Sequence, residues 1–189
     1  MNFRSKLIVL LFILGLVLYG VVNVIVLPKI NANEKQYVIE QQDPLTHDFD
    51  RILSYKNQYM GNAANLGMLF DHLPLNDIQR TYQSYPELLT FEIIYQEKIL
   101  NISNKENVER AFIYNATAAF ALIDNLEGLY FTLDDERYKI SRTSLEQWYG
   151  IDLRSLTHKS IWEEKIQNRL ADDKNIKEGI TTVFERETY

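Results

Sequence analysis

The polar and apolar positions are distributed very unevenly at the start of the chain. From Leu7 to Leu27 there are 21 residues without a charge, and Asn23 is the one strongly polar member. A helix of that length rises roughly 31 Å, about the thickness of a hydrocarbon core. Arg4 and Lys6 precede the run, and Lys29 follows it just beyond Pro28. That bias places the N-terminus in the cytoplasm and the remainder outside. The expected organisation is a cytoplasmic tail (1–6), a single transmembrane helix (7–27), a tether (28–42) and an extracytoplasmic domain (43–189). A cleaved signal peptide would have a shorter apolar region, ~7–15 residues, ending in small residues. Here the corresponding Ile30-Asn31-Ala32 contains a bulky residue, so an uncleaved anchor is preferred. Gly15 and Gly20 lie five apart, which is not the spacing of a GxxxG face.

Beyond the run, the hydrophobic period predicts alternating helices and strands. Asp43-Pro44 reads as an N-cap and first turn, with Leu45, Phe49, Ile52 and Leu53 following at helical spacing. Asn62 caps a second helix with Leu66, Leu69, Phe70 and Leu73 on one face, and Pro74 ends it. The period then falls to two. Ile78 to Tyr85 and Leu89 to Gln96 read as neighbouring strands joined at Pro86, and Leu129 to Ile140 reads as a hairpin turning at Asp134-Asp135-Glu136. Three capping boxes announce helices, at Ser103 to Glu106, Thr143 to Glu146 and Ser160 to Glu163. The first should run to about Ile123 as a central helix, because Ile113 and Phe120 add apolar faces to its stripe. Gly150 stops the second, and Trp162, Ile166 and Leu170 line the third. Ile180 to Phe184 is expected as a last strand. The fold class is α+β, with a mainly antiparallel sheet packed against helices.

Composition narrows the chemistry. The chain has no cysteine, which excludes disulfides, thiolate metal sites and thiol nucleophiles. Residues 33–189 hold all 26 acidic residues but 17 of the 20 basic ones, a net charge of −9. Nucleic acid is therefore not an expected partner. No P-loop, dinucleotide fingerprint, HExxH, GxSxG, SxxK or EF-hand spacing occurs. Asp43, His47 and Asp50 fall at i, i+4 and i+7, the spacing of a possible metal site. Acidic residues at a helix start already suit the dipole, and no metal or cofactor is expected. His72 sits at a helix end, where an imidazole reaches free carbonyls, and His158 is expected on the surface. Asp134-Asp135-Glu136 is better explained as a turn than as a calcium site. Glu92 and Glu97 have odd spacing, which sends them to opposite faces of a regular strand and argues against a glycosidase pair. The sequons at Asn101 and Asn115 carry little weight, the second because it lies in a buried helix.

Twelve tyrosines are more suggestive, with Tyr55, Tyr59, Tyr82, Tyr85, Tyr95 and Tyr130 in or near strands and turns. They serve either recognition or the filling of half-buried strand positions, and the second is the commoner use. The candidate binding residues are Tyr55, Tyr59, Gly61 and Asn62. A positive φ at Gly61 would fix both rings beside the amide-rich start of the next helix.

Three stretches resemble a known family. Tyr55-Lys56-Asn57-Gln58-Tyr59-Met60-Gly61-Asn62, followed by Leu66, Leu69 and Leu73-Pro74, resembles the opening signature of domain-of-unknown-function family 4825. Asn115 to Leu126 is similar to its central helix, and Arg142, Leu145 and Tyr149-Gly150-Ile151-Asp152-Leu153 to its closing portion. Gln58 and Asn62 stand where the family pattern has proline and aspartate. The resemblance implies an extracytoplasmic domain of a Gram-positive bacterial membrane protein, and it implies no chemistry. The expected function is a noncatalytic binding or sensory module held at the cell membrane by residues 7–27, facing a protein, peptide or envelope ligand. The alternative is an envelope hydrolase whose site is assembled from distant carboxylates.

Overall fold

The computed structural model describes residues 2–96, 104–133 and 136–188, and its contacts fall into two units, Met1–Glu40 and Gln41–Tyr189. The first unit is helical, made by α1 (Phe3–Val21), one π turn (Val22–Val26) and α2 (Leu27–Gln42), which ends in the second unit. Leu7 to Leu27 thus lie in one helical run, long and apolar enough to cross a membrane. The segment 28–42, expected as a tether, is helix too. Pro28 has no N–H to offer the carbonyl of Val24. The ladder slips just before it: Leu27 N–H bonds Val22 O, and Asn23 Nδ2 bonds Tyr19 O at 2.9 Å. Such a slip lets a helix pass a proline.

The second unit is built on a five-stranded sheet in the order β1 (Arg80–Tyr85), β2 (Thr90–Tyr95), β3 (Gly128–Leu133), β4 (Glu136–Ser141), β5 (Phe184–Thr188). Both expected hairpins form, and β4 pairs antiparallel with β5. The β2–β3 pair is parallel, because α4 (Lys105–Leu122) makes the crossover between them. This is the expected central helix, and every residue from Ala111 to Leu122 is buried. Alternation puts Phe91, Ile93, Tyr95, Leu129, Phe131, Tyr138 and Ile140 on the face that α4 covers. Phe112 of α4 stacks on Phe131 with ring centroids 4.5 Å apart and meets Tyr95 and Tyr138. On its other side α4 meets α7 (Asp173–Val183) at Gly179, where an added Cβ would lie 2.9 Å from Ile113. Gln83, Tyr85, Glu92, Tyr130, Thr132, Arg137 and Lys139 occupy the opposite, polar sheet face.

Several expected boundaries are corrected. No α-helix forms over 43–53; a turn and two 3₁₀ turns (Phe49–Arg51, Leu53–Tyr55) replace it. Side chains from elsewhere take the main-chain groups that a helix would need. Gln167 Nε2 bonds both Pro44 O and His47 O at 3.0 Å, and the N–H of Asp48 goes to Gln41 Oε1. The capping boxes also shift. Asn104 caps α4 through Asn107 N–H, the expected Ser103 lying outside the described residues, and Ser141, not Thr143, caps α5 (Arg142–Tyr149). His158 precedes α6 (Lys159–Trp162) without a side-chain cap. Residues 180–183 belong to α7 rather than to a strand. Ile176, Ile180 and Val183 bury one helical stripe there, overriding β-branched propensity, and the strand begins only at Phe184. Asn62 and Gly150 act as expected: Asn62 Oδ1 caps α3 (Ala63–Phe70) at Asn65 N, and Gly150 ends α5 with φ of 70°.

Candidate functional site

The loop 55–62 is pinned at both ends to the end of α4. Asn57 N–H donates to Leu122 O at 2.8 Å, and Asp124 N–H returns to Asn57 O at 2.9 Å. Met60 is a buried anchor, and its N–H bonds Asn125 Oδ1 at 2.6 Å. Between these anchors Tyr59 projects outward, 66% exposed, with its own N–H held by Asn57 Oδ1 at 2.9 Å. Such an Asx turn fixes the backbone without using the ring. Asn62 N–H closes the loop on Tyr59 O at 3.4 Å. Tyr55 is different. It is half-buried, and its hydroxyl lies 3.1 Å from His72 Nδ1, which also lies 2.8 Å from Met68 O at the end of α3. His72 thus reaches a helix-end carbonyl, as its position implies. Asn65 Nδ2 bonds Tyr55 O at 2.7 Å and so ties this residue to the cap.

Gly61 corrects an expectation. Gly150 is the one described glycine with positive φ, and nothing lies within 4 Å of a Cβ added at Gly61. The turn is set instead by Asn57, Met60 and Asn62. Gly61→Ala should therefore change stability by less than ~0.5 kcal/mol, as exposed substitutions do. Gly150→Ala should cost about 1 kcal/mol, since only glycine takes the left-handed region without strain. Thermal melting of the two variants checks the contrast.

Asp43, His47 and Asp50 do not converge. Asp43 and Asp50 are exposed, whereas His47 is buried in a directed chain of hydrogen bonds. Trp162 Nε1–H donates to Tyr114 Oη at 3.2 Å, Tyr114 Oη lies 2.8 Å from His47 Nδ1, and His47 Nε2 lies 2.7 Å from His72 O. A carbonyl only accepts, so Nε2 carries the proton and Nδ1 accepts from the tyrosine. Burial pushes His47 below its ordinary 6.5 and Tyr114 well above its ordinary value. Both imidazole nitrogens are therefore committed to the protein. His158 is exposed, and Asn115 is buried within α4.

On the polar sheet face, Glu92 is 5% exposed and accepts three bonds. They come from Thr132 Oγ1 at 2.6 Å, Tyr85 Oη at 2.7 Å and Arg137 Nη2 at 2.7 Å. Arg137 also lies over the Tyr130 ring, 3.7 Å from its centroid. Sequence reasoning singled out Glu92 and the two tyrosines but missed Arg137 and Thr132. Their signal is register: Glu92 faces Tyr130 across the parallel pair, and Thr132 faces Arg137 across the next hairpin. A carboxylate so bonded serves structure, since its oxygens are taken by three donors, one of them a cation. Glu97, Asp134, Asp135, Asn101 and Ser103, all considered above, lie outside the described residues.

Arg142, from the third resembling stretch, completes the picture. Its guanidinium is 2% exposed and binds the carbonyls left over at the end of α4: Ile123 O at 2.7 Å, Leu126 O at 2.9 Å and Asp124 O at 3.3 Å. The 55–62 loop, the segment 122–126 and Arg142 are thus one connected structure. Residues 52–143 match the family Domain of unknown function (DUF4825). The match takes in the loop 55–62, α3, α4 and strands β1 to β4, and it ends just after Arg142. No curated protein and no solved structure matches the chain. The segments that resembled DUF4825 separately in sequence are therefore joined in space, around the C-terminal end of α4.

Proposed function

We propose that this protein is a noncatalytic binding module of the cell envelope, held by residues 7–27 as a single-pass anchor. In this reading its N-terminus is cytoplasmic and its DUF4825 domain faces outward to a protein, peptide or envelope ligand. The charge bias of Arg4 and Lys6 against Lys29 supports the orientation. The observation that carries the binding role is Tyr59, a large exposed aromatic on a loop whose backbone is already fixed by Asn57, Met60 and Asn125. A pre-ordered aromatic loses little entropy when it docks, and tyrosine is common among residues that dominate interfaces. Nothing lies within 4 Å of a Cβ added at neighbouring Gly61, Asn62 caps α3, and Tyr55 holds the loop to α3 through His72. A hydrolase would need a second carboxylate beside Glu92. Among the described residues that oxygen pair meets Arg137, Tyr85 and Thr132 instead.

The test uses the full chain in intact cells stripped of their wall, with a photo-cross-linker at exposed Gln58 and a membrane-impermeant protease. Cross-linked partners should appear with the wild type and fall roughly 30-fold with Tyr59→Ala, as for a residue worth about 2 kcal/mol. The melting temperature should move by less than the equivalent of ~1 kcal/mol. External protease should remove residues 43–189. Unchanged cross-linking in Tyr59→Ala would take this residue out of the site, and protection of the domain would reverse the topology.

A further inference from the structure

The two edges of the sheet are guarded differently. The β5 edge carries Glu185, Arg186 and Glu187 in succession, the charge pattern that discourages another strand from pairing. The β1 edge reads Arg-Thr-Tyr-Gln-Ser-Tyr, with no proline and a single charge. That charge does not guard it. The guanidinium of Arg80 turns back to Asn76 O at 2.9 Å, Ile78 O at 3.0 Å, Phe70 O at 3.2 Å and Asp71 Oδ1 at 2.5 Å. Among the described residues no strand lies beyond β1.

The pairing pattern also says which main-chain groups face out. Gln96 N–H bonds Gln79 O at 2.9 Å, so this pair is a hydrogen-bonded one. Alternation along the ladder then turns Thr81, Gln83 and Tyr85 toward β2, and points the N–H and C=O of Tyr82 and Ser84 away from it. On the helix side of the same edge lies an open pocket of about 350 Å³, bordered by Asp71, Asp77, Arg80 and Tyr82. Asp71 is answered by Arg80, while among the described residues no ion pair reaches exposed Asp77. The pocket and the domain around it, at −9 for residues 33–189, are both negative.

We infer that the outer edge of β1 takes an extended, basic segment of a partner polypeptide as a sixth strand. Main-chain bonds to Tyr82 and Ser84 supply the pairing, and a lysine or arginine beside Tyr82 enters the Asp71–Asp77 pocket. This surface is separate from Tyr59 and does not depend on that reading. The partner is a polypeptide because only a strand satisfies alternating amide donors and acceptors, and it is basic because Asp77 stands beside the Asp71–Arg80 pair with no cation of its own among the described residues.

The test uses the full chain in lipid nanodiscs with two capped octapeptides, one alternating lysine and valine and one alternating glutamate and valine. The basic peptide should slow amide exchange across residues 80–85, and the acidic one should not. Ser84→Pro removes an amide that faces away from β2, a position where an edge strand tolerates proline. It should weaken the basic peptide at least tenfold, and Asp77→Asn should weaken it several-fold. Tyr59→Ala should leave this binding unchanged, so the two proposals fail independently. Equal binding of both peptides would overturn the inference. So would undiminished binding by Asp77→Asn, even if Ser84→Pro did not fold. Protection of 80–85 that grows with protein concentration, without peptide, would instead assign the edge to a second copy of the chain and overturn it too.

Discussion

Replacing Arg142 with alanine should be among the most damaging single changes in this protein, at about 3–5 kcal/mol. The guanidinium is 2% exposed and donates to three carbonyls, those of Ile123, Asp124 and Leu126. These carbonyls have no helical partner because α4 ends at Leu122, with Ile123 already extended. A buried cation there also meets the negative end of the α4 dipole. Burial pushes Arg142 below the ordinary arginine value, yet a guanidinium so placed stays charged at neutral pH. Glu127 and Glu146 stand 3.8 and 3.7 Å away and balance part of the charge. Removing the side chain leaves Leu126 O without its donor, leaves Ile123 O and Asp124 O with only Leu126 N–H and Arg154 Nε, and opens a cavity where the guanidinium lay. Lysine restores the charge but cannot reach three diverging oxygens with one nitrogen, so Arg142→Lys should recover less than half of the loss. Thermal unfolding should show a fall of roughly 8–15 °C for the alanine variant. A fall of only a degree or two would mean that water replaces the guanidinium.

The damage should spread to the loop that carries Tyr59. Asp124 O accepts from Arg142 while Asp124 N–H donates to Asn57 O, so the segment is held from both sides. This link joins the stability of the α4 end to the presentation of Tyr59. Arg142 is therefore a positioning residue in the proposed binding role, and it touches no ligand itself.

What could be read in the sequence follows from where each signal resides. α4 and both hairpins were legible because their apolar periods are long and their partners are near in sequence. The stretch 43–53 was not legible. Its apolar spacing is helical, yet the bonds that unwind it come from Gln167, more than a hundred residues away. Residues 180–183 misled in the opposite sense. They favour a strand locally, and the burial of Ile176, Ile180 and Val183 on one face makes them helix. Within the candidate site, the two tyrosines looked equivalent in sequence. Structure separates them, since Tyr55 is engaged by His72 and Tyr59 is left outside. The Glu92–Arg137 pair needed the parallel register of β2 and β3, which depends on the crossover and not on either strand alone.

His47 should make the domain lose stability as it is acidified. The unfolded histidine titrates at its ordinary 6.5, and burial lowers the folded value despite the hydrogen bond to His72 O and the nearby charge of Asp48, which both raise it. Arg51 and His72 add to the lowering. Between the folded value and 6.5 the unfolded chain holds a proton that the folded chain refuses, so stability rises with pH across that interval. It is complete above about 6.5 and falls as pH drops through the window. The geometry gives the reason. A proton on Nδ1 would face the hydroxyl hydrogen of Tyr114, whose oxygen is already occupied by Trp162 Nε1–H. His47→Leu should cost about 2–5 kcal/mol at neutral pH, because the Tyr114 hydroxyl and His72 carbonyl lose their partner inside the protein. The same variant should flatten the dependence between about pH 5.5 and 7.5, where few carboxylates titrate. Urea unfolding across that range measures both effects. If the wild type proved as stable at pH 5.5 as at 7.5, or if His47→Leu kept the full slope, the proton would belong to another group.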